Sequence, residues 1–151
     1  MNCDGCTLCC ELLNVPWMDS PAGELCKHCN GSGCEIYDTA PKDCLNFRCA
    51  YNQIDNAPIE LRPDNCKIIF EKVDDNIFLG TMHPDYNESY KTEIMQKELL
   101  TFLERGFSVI IDSLTIKNPV VYPAKGKKAS EVWSEYQARV KERYGSPDIY
   151  N

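Results

Sequence analysis

Nine of the chain's ten cysteines lie within its first 49 residues, and their spacing is regular: Cys3, Cys6 and Cys9 recur every third position, with Cys10 directly following. Cys26 and Cys29 then flank Lys27 and His28, and Cys34, Cys44 and Cys49 follow among Gly, Asn, Asp and Pro. Two cysteines separated by two residues can close a tight turn with both sulfurs aimed at one point, the arrangement a tetrahedral thiolate site requires. Gly5, between Cys3 and Cys6, suits such a turn because glycine tolerates backbone angles closed to other residues. Cys26 to Cys29 makes a second turn of this kind. Asn30-Gly31-Ser32-Gly33 lets the backbone fold back so that Cys34 joins it, and Cys44 and Cys49 supply closing ligands. Adjacent side chains diverge, so Cys9 and Cys10 are expected to serve different ions, or one of them to bridge. Eight thiolates complete two tetrahedral sites, and nine leave one spare or bridging.

The compartment decides between metal and disulfide. The chain opens Met1-Asn2-Cys3-Asp4-Gly5-Cys6, without the basic start or apolar run of a signal peptide, and no stretch is long enough to cross a bilayer. These features predict a soluble cytoplasmic chain, in which thiols stay reduced. Ion binding is then the favoured reading over a disulfide framework. Soft thiolates suit zinc and iron–sulfur clusters alike. Paired turns interleaved with single cysteines favour closed zinc sites, whereas the triple repeat at Cys3, Cys6 and Cys9 also occurs in loops that wrap a four-iron cluster. Zinc is preferred.

The stretches Cys3-Asp4-Gly5-Cys6-Thr7-Leu8-Cys9-Cys10, Leu25-Cys26-Lys27-His28-Cys29 and Gly33-Cys34-Glu35-Ile36-Tyr37, continuing through Pro41 to Cys44, Phe47 and Cys49, resemble the YkgJ-type cysteine-cluster family (CxxCxxCC), known as a zinc- or iron-chelating domain. The resemblance spans about residues 3 to 51. It implies that Cys3, Cys6, Cys9, Cys10, Cys26, Cys34, Cys44 and Cys49 are the metal cysteines, with Cys29 a further cysteine found in a subset of small members. Leu61-Arg62-Pro63-Asp64 is similar to a short segment that follows the cluster in that subset. Ala40 stands before Pro41 where the family commonly has arginine, and Leu45 replaces another frequent arginine. Those differences bear on partner binding or charge neutralisation and leave the ligands untouched.

The elements that must position these thiols are few. Residues 1–50 carry 12 large apolar side chains against 36 in residues 51–151, so the first third is poor in core and needs ions as staples. The chain is expected to be α+β: an irregular, cysteine-rich, metal-stapled N-terminal lobe (1–51) packed on a small α+β lobe (52–151) of antiparallel strands with two helices, the two forming one compact domain. Strands are predicted over Cys66–Val73, Ile77–Met82, Phe107–Ile111 and Thr115–Tyr122, with a hairpin at Asp74-Asp75-Asn76. A helix is predicted over 88–105, with Ile94, Met95, Leu99, Phe102 and Leu103 on one face and Gly106 as its stop. A second runs from about Ser130 to Tyr144, stacking Val132, Trp133, Tyr136 and Val140. Asn52 to Pro63 is the joint, and the tail from Gly145 to Asn151 is expected to fray.

The remaining candidates have ordinary explanations. His28 is read as exposed or bonded to sulfur rather than a ligand, and His83, before Pro84, as structural or solvent-facing. Cys66 reads as a small buried hydrophobe opening a strand and off the metal. Lys125, Lys127 and Lys128 around Gly126 read as a solvated loop, and Trp133 as core. A net charge of −7 opposes binding driven by phosphate neutralisation, so no nucleic-acid partner is expected, and no membrane. The partners expected are metal ions and a protein partner or larger assembly. The chain has two histidines, no His-Glu-x-x-His pattern, no glycine-rich phosphate loop and no Ser-His-Asp order that stands out. The reading leans away from an enzyme. It favours a chelating protein with about two zinc ions in closed thiolate sites that scaffold an interaction surface; the alternative is an iron–sulfur protein with a redox or enzyme-accessory role.

Overall fold

A computed structural model describes residues 5–14 and 21–144, with side chains up to residue 142. Cys3 and the tail from Gly145 to Asn151 lie outside the described residues. The chain is α+β, with a four-stranded mixed sheet and several helices. Among the described residues four short α-helices precede the sheet: α1 (Leu8–Leu12), α2 (Lys42–Asn46), α3 (Ala50–Gln53) and α4 (Pro63–Cys66). Then follow β1 (Ile68–Asp74), β2 (Ile77–Met82), α5 (Glu93–Glu104), β3 (Ser108–Asp112), β4 (Val120–Tyr122) and α6 (Ala129–Tyr144).

The sheet order is β1-β2-β3-β4. The β1–β2 hairpin turns at Asp75-Asn76, where the Asp75 amide donates to Asp74 Oδ1 at 2.7 Å. The expectation of antiparallel strands is corrected at the centre: β2 and β3 run parallel, from Ile77 beside Ser108 to Thr81 beside Asp112. A parallel neighbour needs a crossover of a dozen or more residues, and 83–107 with α5 supplies it.

Three further boundaries differ from the sequence reading. Cys66 ends α4 and does not open a strand; Pro63 sits in the first turn of that helix and Lys67 adopts φ 62°, so β1 starts at Ile68. The helix expected from residue 88 begins at Glu93, because Thr92 is extended and its Oγ1 accepts from the Met95 amide at 3.2 Å, a side-chain cap. The last strand shortens to three residues. At the far end of α5 the stop is as expected. Gly106, at φ +88°, donates to the Leu103 carbonyl while Phe107 donates to that of Phe102, the paired bonds of a Schellman motif.

Strand alternation sends side chains to opposite faces. Ile68, Phe70, Phe78, Val109 and Ile111 pack with Met95, Leu99 and Phe102 of α5. Ile94 does not join them: it is 57 % exposed, because it lies one position off the stripe made by 95, 99 and 102. Ile77 and Ile110 face the other way, against Val132, Trp133 and Tyr136 of α6. On that same alternation Ile69 of β1 packs with Leu8, Leu12 and Cys49, which joins the cysteine-bearing segment to the sheet. Among the described residues no helix is long and apolar enough to cross a membrane.

Candidate metal centre

The clearest positioning device is a hairpin. Asn30 donates from its amide to the Gly33 carbonyl at 3.1 Å, and Glu35 to the His28 carbonyl at 2.9 Å. These two bonds bracket Cys29 and Cys34, which form an antiparallel bridge. A pair so bracketed is the non-hydrogen-bonded kind, with its two side chains on one face and close together. The loop is tied internally by Asn30 Oδ1, which accepts from Ser32 and Gly33 at 2.8 and 3.0 Å, and Gly31 takes φ +87°. The Cys29 amide donates to the Cys26 carbonyl at 2.9 Å, the tight turn expected of that pair, and the Cys26 amide donates to the Cys10 carbonyl at 2.8 Å. Backbone bonding therefore sets the chain segments that carry Cys10, Cys26, Cys29 and Cys34 next to one another.

Cys44 approaches from α2, which follows Pro41 and whose end is held by Arg48, its guanidinium donating to the Leu45 and Phe47 carbonyls at 2.6 and 2.8 Å. The electrostatics report the same neighbourhood. Burial, then the charges of Cys10, Cys34 and Cys26, then Asp43, push the Cys44 thiol up. Cys10 is pushed far above the ordinary thiol range, first by its hydrogen bond with Cys9 and then by burial, with a bond from Cys29 opposing. Cys29 is raised chiefly by burial. Crowded thiols thus resist ionising side by side, a penalty that a bound cation inverts.

Cys9, the hydrogen-bonding partner of Cys10, leads to a second, adjoining group. Cys6, Cys9 and Cys49 line a cavity of ≈ 30 Å³, walled by Phe47, Tyr51, Pro63 and Ile69. Gly5, just before Cys6, adopts φ +82°, as the turn chemistry predicts. Cys49 is 8 % exposed and Ile69 1 %. Cys66 stands apart in the main core, 9 % exposed, its thiol donating to the Ile68 carbonyl at 3.2 Å. Burial pushes it up to about 11, the charge of Cys6 adding a little.

Of the nine proposed ligands, eight are described and fall into two neighbourhoods that adjoin where the Cys9 and Cys10 thiols meet; Cys3 lies outside the described residues. Among the described residues no three His, Cys, Asp or Glu side chains converge closely enough to hold an ion. The donor chemistry is nonetheless uniform: each neighbourhood offers sulfur, the soft ligand of zinc and of iron–sulfur clusters.

Set against family models, curated proteins and solved structures, the chain matches none.

One pair escapes sequence reasoning altogether. His83, read as structural or solvent-facing, is 8 % exposed. Its Nε2 lies 2.9 Å from Glu11 Oε1, and its Nδ1 accepts from the Asp85 amide at 3.1 Å. Glu11 follows Cys10 on α1, so this contact ties the thiol-bearing helix to the end of β2. Nothing near Glu11 in the sequence signals a partner 72 residues away. His28, half-buried in the hairpin, contributes its carbonyl to the bridge.

Proposed function

We propose that the chain is a metal-chelating cysteine-cluster protein, holding about two zinc ions in closed thiolate sites that staple residues 1–51 into an irregular lobe packed on residues 52–151. The observation that carries this reading is the hairpin that sets Cys29 and Cys34 side by side on one face, next to the Cys26 turn and Cys10. Such backbone bonding presents sulfurs together with no disulfide between them. The resemblance of residues 3 to 51 to the YkgJ-type family points the same way. Cys10, Cys26, Cys29, Cys34 and Cys44 would hold one ion; Cys6, Cys9 and Cys49 would contribute to another. Binding would draw each set of sulfurs inward onto its ion. When bound, zinc supplies structure, closing loops that carry little core of their own. The stapled lobe would present a surface to a protein partner, in the cytoplasm.

A second reading, an iron–sulfur protein with a redox or accessory role, is favoured by one feature: Cys6 and Cys9, two members of the triple repeat, line one cavity with Cys49.

Anaerobic purification followed by quantification of zinc, iron and acid-labile sulfide tests both. A colourless protein with about two zinc ions supports the first. Broad visible absorption from sulfide-to-iron charge transfer, with iron exceeding zinc, replaces it with the second. A folded protein free of both metals defeats the proposal.

A further inference from the structure

We propose that Cys29 and Cys34 form a reversible oxidation site: a low-molecular-weight disulfide closes the pair into a bridge across the hairpin, and a low-molecular-weight thiol reopens it. The proposal goes beyond the chelation reading and does not rest on it, since it needs these two sulfurs alone.

The backbone selects the pair. The Asn30 amide bonds to the Gly33 carbonyl on one side of it and the Glu35 amide to the His28 carbonyl on the other, so Cys29 and Cys34 face each other as a non-hydrogen-bonded antiparallel pair. In such pairs the Cα atoms stand about 4.5 Å apart, inside the span of about 4.4 to 6.8 Å that a disulfide bridges. The Cβ atoms of a close pair of this kind are separated by about 4.5 Å, the upper end of what the bridge accepts. Both thiols are free. Two other sulfurs compete for Cys29, but less firmly: Cys26 is joined to it by one backbone bond, and Cys10 meets it through the side chains.

The loop between them is already in the closed shape. Asn30 Oδ1 accepts from the Ser32 and Gly33 amides, and Gly31 holds φ +87°. Forming the bridge therefore needs side-chain rotation and little further ordering of the chain. The site is also reachable. Asn30, Gly31 and Ser32 are exposed, both cysteines are half-buried, and a Cβ on Gly31 or Gly33 would meet nothing within 4 Å.

The step is thiol–disulfide exchange. One cysteine, as thiolate, attacks a sulfur of the small disulfide, breaking its S–S bond, releasing one small thiol and leaving a mixed disulfide. The facing cysteine then displaces the second small thiol and forms the Cys29–Cys34 bond. The chain loses two electrons and two protons, and the small disulfide gains both as it becomes two thiols. Bridges of this kind in a reducing compartment are transient and report redox state. Closure here withdraws both sulfurs at once from any soft ion.

The experiment incubates the full chain, with and without a zinc chelator, in glutathione disulfide and reduced glutathione at graded ratios. Free thiols are then blocked with N-ethylmaleimide and the chain is cut with trypsin. Cleavage after Lys27 and Lys42 yields the peptide 28–42, whose sole cysteines are Cys29 and Cys34. The expected result is this peptide unblocked and lighter by both thiol hydrogens, before other cysteine pairs are lost to blocking, and fully blocked again after excess reduced glutathione. Preferential joining of 28–42 to the peptide carrying Cys10 and Cys26 overturns the proposal, as does an open pair in both incubations at ratios that bridge other cysteines. In urea the preference should disappear, with bridges spread over cysteines close in sequence. An equal preference in urea would show that chain proximity and not the hairpin chooses the pair, and would also overturn it. A chain that binds no zinc yet forms this bridge defeats the chelation reading and supports the present one.

Discussion

His83 Nε2 sits 2.9 Å from Glu11 Oε1, across 72 residues of sequence. Because Nδ1 accepts the Asp85 amide proton, the neutral ring carries its hydrogen on Nε2 and donates it to the carboxylate. His83 is buried and the Glu11 side chain 34 % exposed, so the bond is partly shielded from water.

Removing either partner is therefore expected to cost stability. His83→Ala and Glu11→Ala should each lower the unfolding free energy by about 1 to 3 kcal/mol, the range for a bond to a charged group whose loss leaves its partner stranded. The double substitution should cost clearly less than the sum. Urea unfolding of the four proteins measures this, and strictly additive losses would show that the two side chains do not communicate.

Gly80 occupies the middle of β2, where a Cβ would stand 2.7 Å from Ile111 Cδ1, 2.9 Å from Phe70 Cε1 and 3.0 Å from Ile68 Cγ2. All three belong to the core shared with α5. Gly80→Ala should destabilise the fold by about 1 to 3 kcal/mol through overpacking. An unchanged melting temperature would mean that the three side chains yield freely.

Cys66 should behave as a poorly reactive thiol. Its folded value of about 11 against an ordinary 9.0 means the native protein holds this proton after the unfolded chain has lost it. The stability attached to it is fully present below the ordinary value and is lost as the pH rises from there towards 11. Cys66→Ala should flatten that part of the alkaline limb. Mass spectrometry after brief iodoacetamide treatment at pH 8 should find Cys66 unmodified in the folded protein; rapid labelling there would contradict its burial.

Arg139 on α6 grips Asp74 at the end of β1, through Nε to Oδ2 and its second terminal nitrogen to Oδ1, both at 3.0 Å. The hydrogen bond from Arg139 is the main reason that the Asp74 carboxyl sits below its usual range, with the Asp75 amide adding to it. A lowered acid contributes stability above its unfolded value and loses it as the pH falls through the folded one. Arg139→Ala should lower stability modestly at neutral pH and make the acid decline shallower, an outcome read from melting temperatures between pH 7 and 2.5. An acid limb identical to that of the wild type would show the pair to be inert.

Much of this architecture was legible wherever the determining contacts are local. The turn at Asp75-Asn76, the stop at Gly106, the Cys26–Cys29 turn and the return of the chain to Cys34 all follow from residues within a few positions of one another. Ile94 lies outside the buried stripe because the six apolar residues of α5 span more of the helix than the sheet covers, and the sequence does not say which edge is left over. The parallel pairing of β2 with β3 was hidden for a related reason: an apolar run specifies burial, while its neighbour is chosen by the crossover through α5. Glu11 and His83 carry no mutual signal. The division of the thiols into two neighbourhoods was only half visible, because the cavity around Cys6, Cys9 and Cys49 is completed by Ile69, which belongs to the sheet.

That dependence on Ile69 sets an order of events during biosynthesis. At ribosomal speeds of about 5 to 20 residues per second, roughly 3 to 13 seconds separate the making of Cys6 from that of Ile69. Once Glu35 has been added the hairpin can close, while Cys6, Cys9 and Cys49 still await Ile69. The nascent chain therefore passes through a stage in which Cys6, Cys9 and Cys49 have been made but lack the Ile69 wall that the folded chain sets beside them.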